Sequence, residues 1–217
     1  MLEKIYNWFV GLAFSQYMKN RPFIGNKHHQ LPNGEQVEYI EFYGDPRDLF
    51  AQYIWKRIII SEWVFKNYSE NAQDVVIAHE LGHKKTPAYM SIPLIIVLLL
   101  SAIVGLIFAP LVFLYLVFSL LSHQITINIF VFLVFGIFLW EVILLLIFMP
   151  ASWALEGYAE FYAINVVGID AYKRYLIEWK QKRNIIKKSR VELIRILVSY
   201  PPRSLILWVH SKLSKSK

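Results

Sequence analysis

Hydrophobic and polar residues are distributed very unevenly along this chain. No Asp, Glu, Lys or Arg occurs between Thr86 and Trp140, a run of 55 residues. A bilayer crossing needs about 20 apolar residues, so the run is long enough for two crossings. We predict these at 92–121 and 125–149, joined by a short polar link. The alternative is a buried helical pair in a soluble protein, but a chain of 217 residues is too short to cover such a pair on every side.

The segment before the uncharged run shows shorter patterns. Residues 21–36 are rich in Pro, Gly and Asn and are predicted to form a loop. Residues 37–43 alternate between apolar and polar positions, and residues 53–60 are β-branched and aromatic, so both are predicted to be strands. A short helix is expected at 61–68.

The segment after the uncharged run is predicted to be helical. Pro150 should end the second crossing, and an amphipathic helix should follow at 152–167 and stop at Gly168. Another is expected at 170–183. A capping box at 189–192 should open a further helix, and a last short helix should close the chain.

Charge and cysteine content narrow the possible functions. The net charge is +7, and its Lys and Arg residues cluster within 173–195 and at the C-terminus. No nucleic-acid-binding module is recognisable, so we expect no nucleic-acid partner. A basic face held beside a membrane would instead attract anionic lipid headgroups, which makes membrane lipids the expected partner. The chain has no cysteine, which excludes disulfides, cysteine catalysis and thiolate metal ligands.

The charges also indicate an orientation and a role for the N-terminal segment. The link at 122–124 carries no Lys or Arg, whereas the flanks of the two crossings carry nearly all of them. The positive-inside rule therefore predicts that both flanks face the cytoplasm. The protein is accordingly expected to be an integral protein of the cell membrane. Residues 1–20 do not resemble a cleavable signal, because the stretch 5–18 is short and contains polar residues. We expect an amphipathic helix lying at the membrane interface.

One motif ahead of the crossings carries chemistry. His79-Glu80-Leu81-Gly82-His83 matches H-E-x-x-H, and a helix capped by Asn71 and Asp74 is expected to carry it. Residues i and i+4 share one helix face, so His79 and His83 can bind one Zn²⁺ ion. Glu80 is then placed to act as general base. A surface helix that carries two histidines by chance is the alternative.

A third ligand is available after the second crossing. Glu156 lies in the otherwise apolar segment 151–167, and Glu160 follows one helical turn later on the same face. We expect Glu156 to complete the metal site and Glu160 to accept a hydrogen bond from a ligand imidazole. A solvated acidic stripe is the alternative. Arg203, Tyr200 and Tyr158 are the nearby candidates for stabilising an oxyanion.

These features occur in the order found in a known family. The chain resembles the membrane gluzincin metalloproteases, which include the HtpX heat-shock protease and the CAAX prenyl protease, and it is closer to the HtpX branch. The resemblance covers roughly residues 37–213. It rests on His-Glu-Leu-Gly-His, the two crossings, Glu156-Gly157-Tyr158-Ala159-Glu160-Phe161-Tyr162-Ala163 and Ser199-Tyr200-Pro201-Pro202. The family usually has Asp at the position of Glu160 and His at that of Tyr200. HtpX-type proteins also have crossings before the catalytic helix, and this chain has only the segment 5–18 there.

The resemblance implies a fold and an activity. The expected fold is mainly α, an integral membrane zincin with a two-helix transmembrane hairpin between the HExxH helix and the third-ligand helix, and a small β-sheet upstream. Within a single domain spanning 1–217, the parts are the interfacial helix (1–20), sheet and HExxH helix (37–90), transmembrane hairpin (92–150), and third-ligand and C-terminal helices (151–217). The substrate would lie extended against an edge strand, either 53–60 or 37–43.

The expected function is that of a zinc-dependent membrane endopeptidase. One Zn²⁺ per chain would be held by His79, His83 and Glu156, and Glu80 would move the proton of the attacking water as base and acid. The substrate would be a peptide or membrane protein, cleaved in quality control or processing. Two alternatives remain open: a zinc-binding membrane sensor or scaffold that does not cleave, and a protease that processes prenylated C-termini. The sequence leaves the oligomeric state undetermined.

Overall fold

The computed structural model describes residues 8, 11, 14–16, 18–19, 22–44, 50–54, 56–122, 127–183 and 200–214. The strands are β1 (Phe23–Gln30), β2 (Gln36–Phe42), β3 (Ala51–Ile54) and β4 (Arg57–Ser61). The helices are α1 (Glu62–Asn67), α2 (Glu70–Lys85), a 3-10 turn (Ala88–Ser91), α3 (Ile92–Ser122), α4 (Ile127–Val167), α5 (Ile169–Arg183) and α6 (Arg203–Ser214). The protein is therefore mainly helical, with a small mixed sheet. Its residues group into two compact units, 1–86 with 156–217, and 87–155.

The strands form one mixed sheet in the first unit. Their order is β1-β2-β4-β3. The pairs β1/β2 and β3/β4 are antiparallel, whereas β2 and β4 run parallel. The strand predicted at 37–43 is confirmed as β2, and the short helix predicted at 61–68 is confirmed as α1, whose N-cap Ser61 accepts a hydrogen bond from the amide of Trp63.

The loop predicted at 21–36 is wrong over half of its length, because β1 occupies Phe23–Gln30. This strand lies at an edge of the sheet and is mostly exposed, so it needs no apolar face that the sequence could reveal. The actual turn is shorter. It uses Gly34 at a φ of 83°, a left-handed conformation that glycine adopts without steric strain.

The single strand predicted at 53–60 is also wrong. The structure divides this stretch into the β3/β4 hairpin, in which Ile54 pairs with Arg57. Lys56 adopts a φ of 63° in the connecting turn. Turns of two residues favour positive φ, usually with Asn or Gly, and neither is present here to signal the turn.

Helix α2 packs against the sheet. Apolar side chains of both elements form one core, and its fully buried members include Ile60, Val75 and Ile77. A second, smaller apolar cluster contains Phe42 and Ile59 together with Phe14 from the N-terminal segment. In that segment residues 8, 11, 14–16 and 18 are helical, and the rest of the interfacial helix expected at 1–20 lies outside the described residues.

The predicted start of α2 is displaced in the structure. The N-cap is Ser69, not Asn71, and both its amide and its hydroxyl donate to the carboxylate of Glu178 on α5, at 3.0 and 2.7 Å. Asp74 does not form a capping pair, and its Oδ1 atom lies 2.5 Å from Nε2 of His29 on β1, within hydrogen-bonding distance. The contact that holds the N-cap residue therefore comes from a distant helix, which local sequence could not reveal.

Two long apolar helices account for most of the second unit. Helix α3 (Ile92–Ser122) contains Pro110, and α4 (Ile127–Val167) contains Pro150. Segments 88–115 and 134–167 are long and apolar enough to cross a membrane. The predicted helix end at Pro150 is wrong, because α4 continues through it as one helix. Glu156 is therefore carried by the same helix as the second apolar run.

The C-terminal helices agree with the prediction where they are described. Gly168, at a φ of 85°, ends α4, and its amide donates to the carbonyl of Ile164 at 2.9 Å. Helix α5 begins at Ile169 and α6 at Arg203. The helix predicted from the capping box at 189–192 lies outside the described residues.

Candidate metal centre

The two motif histidines lie one turn apart on α2 and face each other. Their Nε2 atoms are 3.2 Å apart, the ring centroids are 4.8 Å apart and the ring planes cross at 89°. This arrangement follows from helical periodicity, since residues i and i+4 project from the same face. Both imidazoles therefore direct one nitrogen to the same point.

The carboxylate of Glu156 reaches this point from α4. Its Oε2 atom lies 3.4 Å from Nε2 of His79 and 3.5 Å from Nε2 of His83. Two nitrogens and one oxygen therefore form a nearly equilateral triangle. Tetrahedral zinc with bonds of about 2.0–2.1 Å requires ligand atoms about 3.3–3.4 Å apart. The group His79, His83 and Glu156 can hold a metal ion.

The environment of Glu156 agrees with this geometry. Its Oε2 atom is buried and accepts no hydrogen bond from any described residue. A buried carboxylate oxygen without a hydrogen bond is energetically unfavourable unless another positive partner is bound. A cation between the three ligand atoms would satisfy it, so the residues present fit a metal ion.

Glu80 lies beside the ligand group in a buried position. Burial raises the pKa of Glu80, and the neighbouring His79 and His83 oppose that increase. Its carboxylate accepts a hydrogen bond from the main chain of Tyr53 in β3. The sheet edge therefore helps to fix the orientation of this side chain.

Glu160, the predicted acceptor of a hydrogen bond from a ligand imidazole, lies on the Nδ1 side of His79. Its Oε2 atom is 3.7 Å from Nδ1 of His79, which is ion-pair distance but longer than a hydrogen bond. Burial would lower the pKa of His79, but the charge of Glu160 and the polar contact with Glu156 outweigh burial and raise it well above its usual value. Glu160 therefore acts electrostatically on the imidazole from the side opposite Glu156.

Arg203 does not join the triangle of ligand atoms. Its guanidinium lies over the ring of Trp179, 3.9 Å from the ring centroid, and also faces Tyr175 at 5.6 Å. It interacts electrostatically with Glu160, and its Nη1 atom is buried without a hydrogen-bond partner among the described residues. Arg203 is therefore a counter-charge for Glu160.

The two tyrosines predicted near the site differ in position. The Tyr158 hydroxyl donates to the carbonyl of Lys85 at 3.3 Å, at the end of α2. Partial burial together with the charges of Glu156, Glu80 and Glu160 raises the pKa of Tyr200. Tyr200 is thus electrostatically coupled to both Glu80 and Glu156.

The structure adds a cluster beside the centre that sequence reasoning missed. Glu35, in the β1/β2 turn, accepts a hydrogen bond from Tyr162 of α4 at 2.7 Å and pairs with Lys85 of α2 at 2.5 Å. We call these three residues the Glu35 cluster. Through Lys85, two residues after His83, and through Tyr162, the cluster connects α2 and α4 to the sheet. A polar residue in a turn gives no periodic signal that would have revealed it.

Comparison with known proteins adds no relative to this description. No family model, curated protein or solved structure matches the chain.

Proposed function

We propose that this protein is a zinc-dependent endopeptidase of a membrane. The observation that carries the proposal is the convergence of His79, His83 and Glu156 at mutual distances of 3.2 to 3.5 Å, with Glu80 buried beside them. The resemblance of the motifs to membrane gluzincins supports the same activity. Alone, either the five-residue motif or the acidic pair would be a weaker argument.

Zinc is the metal that this ligand set favours. Two imidazoles and one carboxylate are a common catalytic zinc set, and they leave the fourth tetrahedral position for water or substrate. When bound, Zn²⁺ would supply Lewis acidity toward a carbonyl and toward water. Sites for magnesium or calcium are instead built mainly from oxygen ligands.

The chain's own residues would divide the remaining tasks. Glu80, oriented by the main chain of Tyr53, would take the proton from the attacking water and return it to the leaving amine. Glu160 would keep His79 in position. The half-exposed phenol of Tyr200 would donate to the oxygen of the scissile carbonyl as it gains negative charge.

The substrate would be an extended peptide lying against β3. This strand is at one edge of the described sheet, and Tyr53 within it reaches Glu80. An edge strand can pair with a peptide through main-chain hydrogen bonds. The hairpin arrangement narrows the edge predicted from sequence to Ala51–Ile54, because β4 is covered by β2 and β3.

The membrane location is supported by α3 and α4. Both helices are apolar enough to cross a bilayer, and the Lys and Arg residues lie outside the uncharged run. By the positive-inside rule the metal ligands would face the cytoplasm of the cell membrane. Substrates would then be membrane proteins or peptides reached from the cytosol.

The test compares wild type with Glu80→Gln in nanodiscs and in cells. Because Glu80 is not a ligand, the variant should keep one zinc per chain by elemental analysis while losing cleavage. Proteomic mapping of cleavage sites should give products that appear only with wild type. Equal activity of Glu80→Gln would exclude the proposed mechanism. Stoichiometric zinc without cleavage of any substrate would favour a sensor or scaffold.

A further inference from the structure

Helix α6 is fixed to its unit through one face. Ile206 is 3% exposed, and Arg203 lies over the ring of Trp179. Further along, His210 stacks on Phe161, with centroids 6.1 Å apart and planes at 19°. These contacts recur at intervals of three to four residues, the spacing of one helix face. The rotation of α6 about its own axis is therefore determined.

The apolar stripe of α6 is wider than the face used in these contacts. At about 100° per residue, Trp208, Leu205, Leu213 and Ile206 follow one another around the axis, with Lys212 between Trp208 and Leu205. Ile206 is covered, but Leu205, Trp208 and Leu213 are 41, 58 and 56% exposed. The exposed part of an otherwise amphipathic helix indicates a second apolar contact.

The charges around the exposed apolar residues of α6 define their partner. Nζ of Lys212 lies 6.0 Å from the ring centroid of Trp208, and Lys215 and Lys217 follow in the sequence. No Asp or Glu occurs between Arg203 and Lys217. The partner should therefore combine an apolar layer with negative charge. A bilayer surface with anionic lipids has both, and Trp, Leu and Lys are typical of helices that lie in it.

We propose that α6 lies in the interfacial layer of a membrane containing anionic phospholipid. Leu205 and Trp208 enter the acyl boundary, and Lys212 contacts headgroup phosphates. The inference rests on the proposed membrane location and is independent of catalysis. It gives Arg203 a further role, since the residue that balances Glu160 would also begin the lipid-bound helix.

The absence of cysteine makes a direct test possible. A spin label on Leu205→Cys in the full-length protein would be the only thiol-attached probe. Its collision rates with oxygen, which concentrates in lipid, and with a water-soluble nickel chelate would be measured in nanodiscs of phosphatidylcholine and phosphatidylglycerol. Glu70→Cys, at an exposed position in the first turn of α2, is the matched control.

The expected result is high oxygen and low nickel accessibility at position 205, with the reverse at position 70. Lys212→Gln should reduce the ratio of immersed to solvent-exposed label by about fivefold, the effect of one basic residue near an anionic surface. Equal nickel accessibility at both positions would overturn the proposal. Protection from both reagents would overturn it too, because it would indicate a protein partner or a second copy. Equal immersion in pure phosphatidylcholine would exclude the anionic component.

Since α3 and α4 would hold the protein in the nanodisc in every case, these outcomes are separable from the catalytic test. Failure of the label to enter the membrane would leave Glu80-dependent cleavage unaffected. Loss of that cleavage would likewise leave the position of α6 unchanged.

Discussion

Gly82 on α2 and Ala159 on α4 are in such close contact that no side chain fits between them. A Cβ atom at position 82 would lie 2.7 Å from Cα of Ala159 and 3.0 Å from its carbonyl oxygen. Favourable contacts between carbon atoms are about 3.5–4.0 Å long. The two helices that carry the candidate metal ligands therefore come together here, with His79 and His83 on one helix and Glu156 on the other.

We predict that Gly82→Ala weakens metal binding although alanine is the better helix former. The gain in helix propensity is about 1 kcal/mol. Forcing extra volume into such a contact costs about 1–3 kcal/mol, which corresponds to a loss of roughly 5- to 150-fold in affinity if it opposes closure of the site. A zinc titration against a competing chelator measures this directly.

Gly157→Ala is the matched control for this prediction. Gly157 lies in α4, beside a ligand, but a Cβ atom there would meet nothing within 4 Å. Its substitution should stabilise the helix slightly and leave zinc affinity unchanged. If Gly82→Ala bound zinc as tightly as Gly157→Ala, the close contact at Gly82 would not set the ligand spacing.

Helical periodicity accounts for how much of the centre the sequence could predict. The spacing of His79 and His83 follows from one helix turn, and Glu156 is conspicuous as an acid in an apolar segment. The close approach at Gly82 involves a residue 77 positions away, so the sequence showed a weak helix former without its cause. Arg203 illustrates the opposite case, because its chemistry suggested an oxyanion role but could not reveal its contact with Trp179 or its electrostatic interaction with Glu160.

Metal removal should lower the thermal stability of the protein. A ligand present at 100 times its dissociation constant stabilises the folded state by about 2.7 kcal/mol. For a chain of this size that is a shift of roughly 5–10 °C. We expect chelation by EDTA to lower the temperature at the midpoint of unfolding and added zinc to restore it. Tryptophan fluorescence measures the unfolding transition. Glu156→Gln should unfold at the same temperature with and without zinc, and a normal zinc shift in this variant would remove Glu156 from the ligand set.

Glu160 and Arg203 should affect metal affinity without touching the metal. Partners that orient a ligand imidazole typically change affinity by about 10–100-fold when they are removed. We expect Glu160→Gln to weaken zinc binding by about tenfold or more, and Arg203→Met to do so less. The double variant should resemble Glu160→Gln alone, since Arg203 acts through that carboxylate. Zinc competition titrations on the four proteins test this.

The control for that series is Glu62→Gln. Glu62 pairs with Lys66 at 2.7 Å on the surface of α1, away from the ligands. Its loss removes the same charge and should leave zinc affinity unchanged. If the losses in zinc affinity caused by the Glu160 and Arg203 substitutions were strictly additive, Arg203 would not act on His79 through Glu160.

The errors in the predicted fold share a physical origin. The strand β1 is a mostly exposed edge strand, so it has no buried face that would require alternating apolar residues. Pro150 lies inside α4, although proline removes one helical hydrogen bond and usually ends a helix. The formation of β1 and the continuation of α4 through Pro150 depend on the surrounding structure. By contrast, β2, α1 and the apolar helices follow from the hydrophobic and polar patterns of their own sequences.

The Glu35 cluster should make part of the stability depend on pH. Hydrogen bonds from Lys85 and Tyr162 hold the pKa of Glu35 below its usual value, despite the opposing effect of burial. A folded-state pKa below the unfolded one stabilises the protein above the unfolded value of about 4.3, and that contribution is lost as pH falls through the folded value. The pair itself is weak, since Lys85 and Glu35 are 43 and 29% exposed.

We therefore expect Tyr162→Phe to destabilise the protein by about 1 kcal/mol at neutral pH, because it removes a hydrogen bond to a charged but partly exposed group. The difference from wild type should shrink as pH falls below the unfolded value of about 4.3 and through the lower folded value, because Glu35 then becomes protonated. Thermal unfolding in EDTA measures this without a contribution from metal release. Tyr158→Phe, which removes a longer and exposed hydrogen bond to Lys85, should show a smaller effect that does not change with pH. A Tyr162→Phe difference that persisted at low pH would mean that packing beside Gly82, and not the Glu35 carboxylate, is what the hydroxyl supports.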